Sequence, residues 1–182
     1  MSTDLSIIIV SWNVAPLLSA CLDSILGAPD VALHDGRLFL GQHPVDVWVV
    51  DSASSDGSAA MVRSRYPQVN LLASDTNLGF SAGNNLALQH CTGRYVLLLN
   101  PDTEIVGDAL SSMVDYMERH PEIGVLGPQL RYPDGTLQSS RRRFPTLGMA
   151  LMESTCWSNG GPTTAGPGPT ALPTSRTTSS SR

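Results

Sequence analysis

Near the N-terminus, Leu5-Ser6-Ile7-Ile8-Ile9-Val10 is apolar apart from one serine and rich in β-branched residues. Such a run reads as a strand buried on both faces, so both of its sides need cover. The pattern returns at residues 45–50, 69–72, 95–99 and 123–126, with helix-period segments between. Asn13 is placed to cap a helix carrying Leu17, Leu18, Cys21, Leu22 and Ile25. Ser55 or Asp56 can cap a second helix, Ser81 a third, and a stronger one follows Asp108 until Pro121 stops it. Residues 31–44 read as an insertion with a hairpin around Asp35-Gly36, and residues 130–137 as a hairpin turning at Pro133-Asp134-Gly135. This β-α-β-α order predicts an α/β fold, a mostly parallel Rossmann-like sheet with helices on both faces.

Composition removes several functions. All 11 basic residues are Arg, so lysine-dependent phosphate loops and Schiff-base cofactors are excluded. A net charge of −5 gives no electrostatic footprint for nucleic acid. The three cysteines fit neither a disulfide framework nor a zinc spacing and are expected to be reduced. There is no signal-peptide pattern and no apolar run of membrane-spanning length. The expected location is cytoplasmic, with peripheral association at the inner face of a membrane left open. From residue 157 to 182, 19 of 26 positions are Gly, Pro, Thr or Ser. Such a tail is expected to be disordered, because it buries too little apolar surface to offset its ordering entropy.

In an open parallel sheet, ligands bind beyond the carboxyl ends of the strands. Three polar clusters fall there: Ser11-Trp12-Asn13, the stretch from Asp51 to Asp56, and Asn100-Pro101-Asp102. A carboxylate such as Asp51 is commonly a turn or cap residue. It also suits the N3–H donor of uracil or thymine, which cytosine lacks. Asn-Pro is a turn initiator, yet an amide oxygen and a carboxylate at i and i+2 can also project together. Oxygen ligands of that kind suit Mg²⁺ or Mn²⁺, with phosphates and water completing the shell. The segment from Asn77 to Asn85 offers glycines and a helix start, both suited to close ligand approach. Arg141-Arg142-Arg143 reads as a solvated run or a phosphate contact.

The runs Ile8-Ile9-Val10-Ser11-Trp12-Asn13, Val50-Asp51-Ser52-Ala53-Ser54-Ser55-Asp56-Gly57, Asn77-Leu78-Gly79-Phe80-Ser81-Ala82-Gly83-Asn84-Asn85 and Leu99-Asn100-Pro101-Asp102, in this order, resemble family 2 glycosyltransferases of the GT-A fold. Pro133-Asp134-Gly135-Thr136, Gln138 and Phe144-Pro145 add a likeness to the rhamnosyltransferase-like branch. The resemblance implies a nucleotide-sugar-binding domain over residues 1–143 and the start of an acceptor-side region at 144–156. It implies inverting transfer of a sugar, rhamnose among the candidates, from a UDP- or dTDP-sugar to a polysaccharide or lipid-linked acceptor. Asp51 would hold the base N3–H, and Trp12 and Asn13 would help enclose the nucleotide. Asn77, Gly79, Gly83 and Asn84 would line the pocket. Asn100 and Asp102 stand at the family's Asp-x-Asp motif, with Asp102 the ligand of Mg²⁺ or Mn²⁺. No general base is matched, since no Asp or Glu follows Glu153. The change at Trp157 therefore reads as a truncated or frame-shifted continuation, testable in the DNA beyond codon 156. The alternative is a non-catalytic sugar-nucleotide-binding fragment or partner subunit. A dehalogenase-type phosphatase is rejected, because Asn100 cannot serve as a carboxylate nucleophile.

Overall fold

The computed structural model describes residues 3–139. The expected tail, the acceptor-side segment and the Arg141–Arg143 run lie outside the described residues. The chain divides into two compact units, Met1–Gln129 and Leu130–Arg182.

In the first unit, β1 (Leu5–Ser11), β4 (His43–Ser52), β5 (Asn70–Ser74) and β6 (Tyr95–Leu99) are parallel strands of one sheet. Across it, β5 pairs β4, β4 pairs β1, and β1 pairs β6. The connections are α1 (Ala15–Leu26), α2 (Ser58–Arg65) and α3 (Gly79–Leu88), and α4 (Ala109–Arg119) follows β6. A hairpin of β2 (Val31–His34) and β3 (Arg37–Leu40) joins antiparallel to the start of β4, Leu38 facing Val45. Its turn is the expected one. Asp35 and Gly36 both take positive φ, 50° and 75°, as a tight two-residue hairpin demands.

Side chains alternate across the sheet with period two. Ile7, Ile9, Val47 and Val49 face α1, α2 and α4, packing with Leu18, Leu22, Val62, Leu110 and Val114. Ile8 and Val50 face the other way, against Ala87 of α3. Each fully buried aliphatic contributes roughly 1.5–3 kcal/mol of transfer free energy. Both faces are thus covered where β1 and β4 run, which is why those two runs read as continuous apolar stretches.

Several expectations are corrected. Residues 123–126 form no strand, and Val125 is 91% exposed, because an apolar run needs a ladder partner as well as a composition. Asn13 does not cap α1. Val14 holds the N-cap position, and Asn13, at φ 53°, turns its Oδ1 to the Ser55 N–H at 2.8 Å. Pro16 sits in the first turn, where it has no N–H to satisfy, and the Ala15 N–H donates to Asp56 Oδ2 at 2.8 Å. Neither Ser55 nor Asp56 caps α2: Gly57, at φ 87°, holds the N-cap position, and Asp56 Oδ1 accepts the Ser58 N–H from one residue further back. The third helix begins at Gly79 rather than after Ser81. In the second unit the Pro133-Asp134-Gly135 turn is present, closed by the bridge Arg131–Leu137 and by Asp134 Oδ1 accepting the Thr136 N–H.

Candidate functional site

Strand register decides which polar ends meet. Ser11 lies opposite Asp51, Asp51 opposite Ala73, and Ile9 opposite Leu99. The ends of β1, β4 and β6 therefore open on one edge, and the order of strands reverses between β1 and β6. That is the position where open α/β sheets take ligands.

The loops after β1 and β4 are locked together. The Asn13 N–H donates to Ser54 Oγ at 3.0 Å, while Ser55 and Ala15 return bonds to the Asn13 amide and the Asp56 carboxylate. Asp56 is held below the usual carboxylate range by the Ser58 hydroxyl, then by the Ala15 N–H. Inside this clasp Asp51 is only 3% exposed. One of its oxygens accepts the Ser54 N–H at 3.1 Å; the other, Oδ1, is buried without a hydrogen-bond partner among the described residues. Ser11 Oγ, in register beside it, is buried and likewise has no partner among the described residues. Two neighbouring orphaned polar atoms at a strand edge are costly, and buried groups are ordinarily satisfied.

At the same carboxyl edge a crevice of about 230 Å³ is lined by Ser11 together with Val10, Trp12, Ser52, Asn77, Gly79 and Phe80. Trp12 and Phe80 are half-exposed at its mouth, 55% and 58%. Trp12, Asn77 and Gly79 are therefore brought together as the motifs suggest. Gly83 instead packs on β1, where a Cβ would come within 2.8 Å of Val10 Cγ1. Asn84 is buried and its Nδ2 donates to the Phe80 carbonyl at 2.8 Å. Ser11, Ser52 and Phe80 fall within the sequence motifs but were given no role of their own there. The signal that could have found the two serines is their place as the last polar residues of apolar strands. A larger hollow of about 650 Å³ runs along β6 and α4, but its walls, among them Val96, Leu98 and Met113, hold no carboxylate.

Asn100 and Asp102 are exposed beyond β6, and their side chains make no hydrogen bond among the described residues. The Asn100 carbonyl accepts the Thr103 hydroxyl at 2.7 Å, so this is a turn that leaves the side chains available. Among the described residues no group of three His, Cys, Asp or Glu could hold a metal.

Beneath the turn lies Cys21, fully buried, whose Sγ points at the Asn100 carbonyl at 3.8 Å. Burial, reinforced by the charges of Asp102 and Glu104, pushes its thiol up to about 12. Cys91 is raised by burial as well. The neutral thiol is the form that folds, so its contribution is intact below the unfolded value near pH 8.5 and lost as pH rises toward 12. Native protein at pH 8 should show no alkylation of Cys21 by iodoacetamide over hours, read by peptide mass spectrometry. Rapid labelling would contradict this burial.

The parallel sheet, its covered faces and the clustered strand ends define a GT-A fold. The Staphylococcus aureus protein TarS superposes with a TM-score of 0.54 at 20% identity, over 65% of this chain and 20% of that one. A Pyrobaculum calidifontis mannosyltransferase, solved with GDP-Man and Mn²⁺, gives 0.52 at 27% identity, over 64% of this chain and 33% of its own. The sequence matches the family described as "Glycosyl transferase family 2" over residues 6–175, and the chain belongs to that family. Among curated relatives, a Mycobacterium tuberculosis N-acetylglucosaminyl-diphospho-decaprenol L-rhamnosyltransferase is 28% identical over 158 residues, 81% of this chain. The chain spans 48% of that relative's length. Among the described residues no helix is long and apolar enough to cross a membrane.

Proposed function

We propose that the chain forms the donor-binding part of a metal-assisted, inverting glycosyltransferase that uses a UDP- or dTDP-sugar. The observation that carries this reading is Asp51, a buried carboxylate at the carboxyl edge of the sheet with one oxygen that no described residue pairs. A pyrimidine N3–H is a donor of the right kind to satisfy it. The acceptor class, a lipid-linked or polysaccharide glycan, follows from the rhamnosyltransferase relative, and rhamnose is the leading candidate sugar on the same ground. Work at the cytoplasmic face of a membrane would fit such an acceptor.

Asp102, exposed and without a side-chain partner among the described residues, fits a hard divalent ion, Mg²⁺ or Mn²⁺, that keeps most of its shell for phosphate and water. Such an ion supplies Lewis-acid neutralisation of the charge that develops on the leaving diphosphate. Asn100 contributes an amide oxygen two residues away and no charge. Gly79, at φ 69°, keeps the backbone bare where the nucleotide would approach.

Calorimetry with UDP, dTDP, CDP and GDP in Mn²⁺ tests the reading; selective binding of the uracil and thymine nucleotides is expected, and equal binding of all four would sink it. Asp102→Ala should abolish the Mn²⁺ dependence of UDP affinity, and retention of that dependence would move the metal elsewhere. Turnover of labelled UDP- or dTDP-sugar onto a lipid-linked acceptor separates the transferase from a non-catalytic sugar-nucleotide-binding module.

A further inference from the structure

Three hydrogen bonds join the end of β4 to the start of α3. The Leu78 N–H donates to Ser52 Oγ at 2.6 Å, the Ser52 hydroxyl donates to Asn77 Oδ1 at 3.1 Å, and the Gly79 N–H donates to the same oxygen at 2.9 Å. Their directions are forced. A backbone N–H can only donate, so the Asn77 atom facing Gly79 must be its oxygen. Ser52 accepts from Leu78 and so spends its single proton on Asn77. With its oxygen held twice, the Asn77 amide has one orientation left. Its NH₂ carries two donors that no hydrogen bond among the described residues uses. Ser52 itself is fully buried, whereas Asn77 is exposed and lines the crevice with Trp12, Gly79 and Phe80.

We propose that Ser52 is a positioning residue that locks the Asn77 amide, so that its NH₂ meets a carbonyl oxygen of the pyrimidine base. The inference rests on the nucleotide reading above. Half-exposed aromatic rings and the Val10 side chain suit a planar heterocycle better than a diphosphate. A pyrimidine that offers N3–H as donor also offers carbonyl oxygens on either side of it. A chain using an acceptor for the first therefore gains discrimination from a fixed donor for the second. Without the Ser52 hydroxyl, the Leu78 N–H loses its acceptor and the amide is free to turn.

The test uses the full chain with UDP and, separately, uridine, which lacks phosphate. Asn77→Asp keeps the oxygen that Gly79 and Ser52 address but removes the N–H donors. Affinity for both ligands should fall about tenfold, with little change in melting temperature because the site is exposed. Ser52→Ala should weaken both ligands in the same direction. The double variant should be no weaker than Asn77→Asp alone, since both changes act through one N–H, and a merely structural defect would add. Wild-type affinity for uridine in Asn77→Asp overturns the proposal, as does a loss confined to UDP, which would place the donor on phosphate. Additive losses in the double variant overturn the role of Ser52 even where Asn77 is upheld. If the wild-type chain binds no UDP, the nucleotide reading itself has failed, and this inference with it.

Discussion

Asp51→Asn is expected to weaken UDP and dTDP binding by about 10- to 150-fold, equivalent to roughly 1.5–3 kcal/mol for a hydrogen bond to a charged group. The substitution is nearly isosteric. Its amide oxygen can still accept the Ser54 N–H, now 3.1 Å from Asp51 Oδ2. The amide NH₂ then occupies the position of the unpaired oxygen, where an acceptor was needed. Donor would face donor against uracil N3–H, while cytosine N3, an acceptor, would be favoured. CDP affinity should therefore hold or rise as UDP affinity falls. Calorimetry of the two nucleotides with Mn²⁺ reads the ratio directly, and an unchanged ratio would remove Asp51 from base recognition. Stability should not decline, because the wild-type carboxylate leaves one buried oxygen unsatisfied. A variant that loses ligand but keeps its melting temperature separates function from fold.

Gly93→Ala should cost about 3 kcal/mol of stability, at the upper end of what overpacking ordinarily exacts. A Cβ at this position would stand 2.6 Å from the Ser6 backbone nitrogen and 2.8 Å from the Tyr95 carbonyl oxygen. Neither atom belongs to a side chain that can swing away. The Gly93 N–H also donates to Ser6 Oγ at 3.1 Å, a bond that any retreat would break. The contact fixes where β6 begins against β1, with Leu5 opposite Tyr95. Shifting it would move Leu99 and the Asn100–Asp102 turn relative to the other strand ends. Urea unfolding measures the loss as a lowered midpoint. A midpoint like the wild type would show that the strand entry is softer than its geometry implies.

The fold was legible because its central strands carry their own signature. In β4, Val47 and Val49 are buried on one face and Val50 on the other, and the run reads as a covered strand in one dimension. The hairpin at Asp35-Gly36 was legible too, since the two residues suit the positive φ that the turn requires. Residues 123–126 were not. Their composition matches a strand, but pairing depends on a neighbouring edge that composition does not describe. Capping failed for a related reason. Asn13 is a good cap in isolation, yet Ser55, 42 positions away, takes its side chain.

By itself the sequence determined the alternation of strands and helices, the polar residues that end β1, β4 and β6, and the family. Local chemistry and period suffice for those. Only the tertiary structure decided which polar ends are buried, which are satisfied and which are left over. The clasp of Asn13, Ser54 and Asp56 isolates one oxygen of Asp51, and Ser52 reaches 25 residues along the chain to set the Asn77 amide. Those partners are distant in sequence and meet only through strand register, so no local pattern encodes them.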